Sequence, residues 1–392
     1  MKNCLRKAIA AFLAFTVIMS ALSVFAFAKT SEEADTHLQF GPDGKFTIMQ
    51  ISDLQDFFPM KSLTKKVLRK VLDENDVDLI VLTGDNISST TLVKGYAALA
   101  INEFMSIINS RGIPTAMTFG NHDDENTTAT KAFQVSVYEK YGCFVGCAGE
   151  DLGDNNLCTY YVPIYSSTDK NKMVSNVWMV DSCTYNVEND LGGYGCVTKA
   201  QVDWYKSTSE KLERENNGKI PSLMFQHIIV PEIWDALAEC EPGTPGSVGH
   251  AGKSYTLPEG AKGILGETPC PPNYTNGQFD AVLERGDVMG MFFGHDHTNT
   301  FEIDYKGVKL INTAGIGFNS YNGEDEGVRL ITIDENAPWS FETQAISYYD
   351  LFDKEDERNV NLFNIYSSTV DTKTAFLSIF KYIFSVIKYA FA

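Results

Sequence analysis

Histidine is scarce in this chain, with six in 392 residues. No two cysteines have the C-x-x-C spacing of a zinc ribbon or a dithiol redox site, so thiolate chemistry is not expected to organise the fold. Cationic charge is also short. With 32 Lys and Arg against 51 Asp and Glu, the formal net charge is −19. Such a surface repels phosphate backbones, and nucleic acid is not expected as a partner. No internal repeat or low-complexity tract occurs, which excludes solenoids and adhesive arrays.

What is present begins with a leader. Lys2, Arg6 and Lys7 precede an apolar run that closes with Ala26-Phe27-Ala28, a small-x-small cleavage pattern. Residues 1–28 read as a secretory signal peptide, and the alternative is an uncleaved anchor. Either places the remainder outside the cytoplasm, as an extracellular or cell-surface protein. Loss of this segment leaves 29 basic residues against the same 51 acidic ones, a net −22. The seven cysteines that remain, an odd number in an oxidising compartment, allow up to three disulfides with one thiol left over.

Short apolar runs recur, each closed by a polar cluster: 45–53, 78–86, 113–123, 177–182, 222–227, 287–294 and 308–315. Between the first three lie helical patterns at 62–75 and 97–112, giving a β-α-β-α-β order. Alternation of this kind predicts largely parallel sheet flanked by helices, with functional groups at the carboxyl ends of strands. Later helices are expected within 131–142, 198–213 and 231–240. Residues 241–277, rich in glycine and proline, read as a long loop.

The scarce histidines fall at those strand ends. Asp53, Asp85, Asn121 with His122, His227, and His295 with His297 each follow an apolar run. Asp85 alone suits a turn and Asn121 alone suits a helix cap. Together they form a convergent His, Asp and Asn set, which marks a metal site. If strand geometry persists past Gly294, His295 and His297 share a face roughly 6.5 Å apart. Carboxylate, amide oxygen and imidazole suit Mn, Zn or Fe, and a carboxylate such as Asp85 can bridge two cations.

The motifs Asp53-Leu-Gln55, Gly84-Asp85-Asn86, Gly120-Asn121-His122-Asp123, His227 and Gly294-His295-Asp296-His297 resemble the calcineurin-like metallophosphoesterase superfamily, in the branch of purple acid phosphatase 29 and Dcr2. The resemblance implies a four-layer αββα sandwich of two mixed sheets over residues 38–348. It implies two divalent metal ions, one held by Asp53, Asp85 and His297 and the other by Asp85, Asn121, His227 and His295. His122 would be a catalytic residue over the substrate, stabilising phosphoryl oxygens or protonating the leaving oxygen. The implied reaction is hydrolysis of a phosphate ester, a small molecule or a phosphorylated substrate, with monoesters favoured and diesters possible. The rival reading is a non-catalytic cell-surface binding protein that keeps the fold.

One motif departs from the pattern. Gln55 stands where the family usually has histidine, and Ser88 stands where a purple acid phosphatase supplies tyrosine. Gln55 is therefore a candidate weak metal ligand through its amide oxygen. Asp123 is expected either to orient a neighbouring group or to favour a helix start. His250, in the glycine-rich stretch, reads first as a solvated loop histidine and second as one that could reach substrate, and Asn299, Tyr321 and Arg329 could contact the leaving group or phosphate. Residues 349–373 read as a linker. In 374–392 the polar residues Thr374, Ser378, Lys381, Ser385 and Lys388 recur at spacings of four and three, which predicts an amphipathic helix. It would lie in a membrane interface, dock on the domain or a second subunit, or span a bilayer.

Overall fold

The computed structural model describes residues 37–89, 94–125, 128–147, 152, 157–187 and 189–390, so the leader lies outside the described residues. Strands β1 (Leu38–Gln39) and β2 (Lys45–Ile51) lead into α1 (Ser62–Glu74), β3 (Leu79–Thr83), α2 (Lys94–Asn109) and β4 (Thr115–Thr118). Short α3 (Asn121–Asp124) and α4 (Lys131–Tyr138) follow, then β5 (Tyr160–Tyr165), β6 (Met173–Met179), α5 (Lys199–Glu215) and β7 (Ser222–Phe225). A single turn, α6 (Ile233–Ala236), precedes β8 (Ala238–Cys240), β9 (Val248–His250) and β10 (Lys253–Thr256). The chain continues through α7 (Gln278–Arg285), β11 (Val288–Phe293), β12 (Glu302–Tyr305), β13 (Val308–Asn312), β14 (Gly327–Asp334) and β15 (Phe341–Ser347). Three helices end it: α8 (Tyr348–Leu351), α9 (Glu357–Tyr366) and α10 (Thr372–Ala390).

Two mixed sheets form the centre. One has the order β15-β14-β2-β3-β4 and the other β1-β5-β6-β7-β11-β13-β12. The parallel pairs β2·β3 and β3·β4 are those that the alternating pattern predicts. Period-two alternation divides each strand of the larger sheet between two cores. Val177, Met179, Phe225, Phe292 and Ile311 face the smaller sheet. Their neighbours Trp178, Met224, Met291, Phe293 and Leu310 pack with Trp204 and Tyr205 of α5 and Phe279 of α7. On the far side of the smaller sheet lie Val67 and Val71 of α1 and Ile101 and Phe104 of α2. The result is the expected αββα sandwich. Full burial of side chains such as Phe225 and Phe292, stacked with ring centroids 4.8 Å apart, stabilises it by about 2–3 kcal/mol each.

The sheets are also joined by polar groups. Arg329 of β14 is fully buried, paired with Glu302 at 3.0 Å and donating to Thr313 Oγ1 and to the carbonyls of Thr300 and Asn312. Gln50 of β2 donates to Phe293 O at 3.0 Å and accepts from Thr313 Oγ1 at 2.6 Å.

Expectations for three segments are corrected. The helix expected within 231–240 shrinks to α6, and the expected loop 241–277 carries β9 and β10, with β10 paired to β8 on one side and to β9 on the other in a small antiparallel sheet. Residues 349–373 are not a linker, because α9, capped by Asp356, buries Leu362 and Phe363 beside Tyr348 and Phe318. Among the described residues the structure holds no disulfide, and the side chains of Cys147 and Cys158 lie in contact.

Candidate metal centre

The site sits where the carboxyl ends of β2, β3, β4, β7 and β11 meet between the sheets. Every ligand-type residue lies two to four positions beyond a strand, so its direction is set by a turn. Asp53 (φ 51°), Gln55 (φ 39°), Asp85 (φ 47°) and His295 (φ 70°) all adopt the left-handed region that non-glycine residues rarely occupy. Each costs about 1–3 kcal/mol, a strain typical of functional sites. Glycine permits the close approach of these turns. A Cβ on Gly120 would stand 2.2 Å from Asp85 Oδ1, and one on Gly294 would stand 1.7 Å from Ser52 Oγ.

His295 and His297 therefore do not share a strand face, because β11 ends at Phe293 and His295 turns left-handed. They converge all the same. His297 Nε2 lies 3.4 Å from Asp53 Oδ1, and His295 Nδ1 lies 3.3 Å from His227 Nε2. His227 Nε2 is also 3.2 Å from Asp85 Oδ2 and 3.9 Å from Asp53 Oδ1. Asp85, His227 and His295 offer ligand atoms within 4.8 Å of one another.

Backbone carbonyls aim the imidazoles. Nδ1 of His227 donates to Thr83 O and Nδ1 of His297 to Tyr321 O, both at 2.9 Å, since a carbonyl only accepts. Each Nε2 thereby faces the Asp85 or Asp53 carboxylate, where it carries a proton in the absence of metal and would offer its lone pair to an ion that displaced that proton. Tyr321 also stacks on His297, with centroids 4.2 Å apart and planes 6° apart, and its hydroxyl donates to Glu267.

The charges demand a cation. Burial opposes protonation of His227 and His297, yet Asp85 and Asp53 overcome it and raise them to about 10 and about 9. His295 is instead depressed to about 3 by burial and by its neighbour His227. Burial also opposes ionisation of Asp85 and Asp53, but the imidazoles hold both below the usual carboxylate range. The buried carboxylates draw positive charge to this spot, which imidazole protons or divalent ions both supply. Two oxygens fit such an ion: Asp53 Oδ1 and Asn121 Oδ1 are buried and accept no hydrogen bond. With three imidazoles and no thiolate at hand, the donor set suits Mn, Zn or Fe.

Gln55 reaches the centre differently from expectation. Its Nε2 donates to Asp85 Oδ2 at 2.8 Å, so the amide nitrogen, rather than the oxygen, faces the carboxylate. It stands there as a hydrogen-bond donor to Asp85.

His122 stands at the mouth, part-buried. Its backbone N donates to Asp85 Oδ1 at 2.8 Å, and its Nδ1 lies 2.7 Å from Glu125 Oε2. Glu125 in turn accepts from Tyr185 at 2.6 Å. Burial works against its ionisation, but Tyr185 and His122 hold its carboxyl below the ordinary range. Neither Glu125 nor Tyr185 was assigned this role from sequence, because the pairing spans 60 residues and no motif records it. Tyr194, edge-on to His295 with centroids 4.5 Å apart, was likewise missed in its glycine-rich setting.

The remaining candidates are accounted for. Asp123 is fully buried and accepts from the backbone N of Gly120, Asn86 and Ile87, tying two motif turns together. Burial and Asp85 push it up to about 7. Asn299 holds the 266–267 backbone through Oδ1. His250 stacks on Trp234 at 3.8 Å in β9, and buried Arg329 belongs to the sheet packing. Of these four, only Tyr321 borders the metal centre.

Residues 46–299 match the profile of the family described as calcineurin-like phosphoesterase. The chain belongs to that family, and both relatives that its motifs implied are found. It is 24% identical over 390 residues to the probable inactive purple acid phosphatase 29 of Arabidopsis thaliana, covering 92% of this chain and 95% of that one. It is 26% identical to the phosphatase DCR2 of Saccharomyces cerevisiae, covering 67% of this chain and 46% of that protein. Among solved structures, a dimetal phosphatase from Danio rerio aligns with TM-score 0.46 and 13% identity, covering 77% of this chain and 99% of that one. The family and the cluster of Asp85, His227 and His295 together point to divalent metal ions.

Proposed function

We propose that this protein is a secreted or cell-surface phosphoesterase that hydrolyses phosphate esters, monoesters foremost, at a dinuclear metal centre. The observation that carries the reading is the convergence of Asp53, Asp85, His227, His295 and His297 from four strand ends, with the Asn121 Oδ1 of a fifth buried and without a hydrogen bond. Asp53, Asp85 and His297 would hold one ion, and Asp85, Asn121, His227 and His295 the other. A divalent pair supplies Lewis-acid charge neutralisation and a nucleophile at neutral pH. The chain supplies the rest. Glu125 holds the His122 ring at the mouth, where Nε2 can stabilise the phosphoryl oxygens or give a proton to the leaving oxygen. The acidic surface does not bar a phosphate ester, because bound cations set the local field and salt screens the rest beyond roughly 10 Å.

A second reading, a binding protein without turnover, draws support from Gln55 and from the word inactive in the name of one relative. An intact ligand set and an oriented His122 favour catalysis. Turnover of a chromogenic phosphate monoester, lost with chelator and restored by Mn, Zn or Fe, is the expected result. Metal binding without turnover across monoesters, diesters and nucleotides would establish the second reading instead.

A further inference from the structure

Helix α10 is built the reverse of a docked amphipathic helix. It packs on α9 through its small and polar side, where Ser378 and Ser385 are buried and Asn364 Nδ2 reaches Ser378 Oγ at 3.4 Å. Its apolar side faces outward. Phe376, Phe380, Ile383, Phe384 and Ile387 are each 48–70% exposed, and this one helix carries eight of the sixteen exposed large hydrophobic side chains among the described residues. A contiguous apolar face of this kind marks an interaction surface.

Charge decides what covers it. Lys373, Lys381 and Lys388 are exposed and no acidic residue occurs within α10, although the whole chain carries −19. At 100° per residue, Lys381 and Lys388 fall along one edge of the apolar face, between it and the buried serines. Lysines so placed lay their stems on apolar surface and extend their charge to lipid headgroups. A two-fold contact between copies would instead bring three lysines against three. No helix among the described residues is long and apolar enough to cross a membrane, which leaves the surface of the bilayer.

We infer that α10 docks the protein flat on an anionic lipid membrane, its phenylalanines in the acyl boundary and its lysines at the headgroups. This reading is independent of catalysis. The test is hydrogen–deuterium exchange of the full chain with vesicles of phosphatidylcholine containing phosphatidylglycerol, against vesicles of phosphatidylcholine alone. Slowed exchange within 372–390 with the anionic vesicles only is expected. Replacing the three lysines by glutamine should weaken binding roughly 100-fold, since each contributes about fivefold near a charged surface. The exposed double variant Phe380→Glu, Phe384→Glu should lose the protection while its thermal unfolding stays unchanged. Equal protection in that double variant, or protection confined to other segments, would overturn the inference. So would a dimer in sedimentation that the double variant dissolves while vesicles have no effect.

Discussion

Nδ1 of His122 lies 2.7 Å from Oε2 of Glu125, and the second Glu125 oxygen accepts the hydroxyl of Tyr185 at 2.6 Å. The ring is thus held from behind by a carboxylate that is itself held, with Nε2 turned toward Asp85 Oδ2 at 3.9 Å. Orientation of this sort is what separates a working acid from a histidine that merely lies nearby.

His122→Ala should keep the metals and lower turnover by roughly 10²- to 10⁴-fold. Glu125→Gln should cost less, because it loosens the hold on the ring without removing the imidazole, and should lower kcat while metal content stays unchanged. A Glu125→Gln variant with the kcat of wild type would remove its assigned role.

Asp85 faces His227, Gln55 and the backbone of His122 at once. Asp85→Ala should therefore release both metals and abolish hydrolysis, whereas Asn121→Ala should release one. Metal content by mass spectrometry after gel filtration distinguishes the two variants.

Gln55 gives its amide nitrogen to Asp85, so the centre lacks the imidazole usual at that position. One tight and one loose metal are expected, with activity dependent on added divalent ion and no visible charge-transfer band. Gln55→His should tighten the loose site. Two full equivalents in wild type after exhaustive dialysis would count against this account.

Lys131 and Asp181 form a buried pair at 2.7 Å. Burial opposes charging of Lys131, but Asp181 and Asp124 raise it above the usual lysine range. Burial pushes the Asp181 carboxyl up, so the pair is lost as acid neutralises that carboxylate, and on the alkaline side it persists until the pH rises above about 10. Lys131→Met should strand the Asp181 carboxylate and cost about 3–5 kcal/mol in denaturant unfolding at pH 7.

Arg329→Ala should cost a similar amount by leaving Glu302 and two carbonyls without their partner. Its KM for a phosphate ester should stay unchanged, because the guanidinium lies within the sheet packing. A selective rise in KM without loss of stability would return Arg329 to the substrate.

The order of strands and helices up to β4, and the ligand-type residues at strand ends, were legible because period-two and period-3.6 patterns are local. Strands β14 and β15 were not picked out, although β14 pairs with β2 over six residues. Pairing partners 280 residues away leave no local trace. The membership of α9 in the core was hidden for the same reason, since Phe363 packs against the rings of Tyr348 and Phe318 from other elements.

What the sequence by itself determined is the inventory of candidates: six side chains of metal-ligand type, the histidine of the GNHD motif and the replacement at Gln55, each recognisable from residue type and position after an apolar run. How they meet was decided only in three dimensions. Strand alternation pointed to His295 and His297 on one face, and the left-handed turn at His295 achieves their convergence by another path. Periodicity likewise marked the two sides of α10, but not which side turns inward. That choice depends on the surface α9 offers, where Ser378 and Ser385 fit and the phenylalanines are left outside. Local patterns encode which residues share a face, and only the packing of distant segments decides what that face meets.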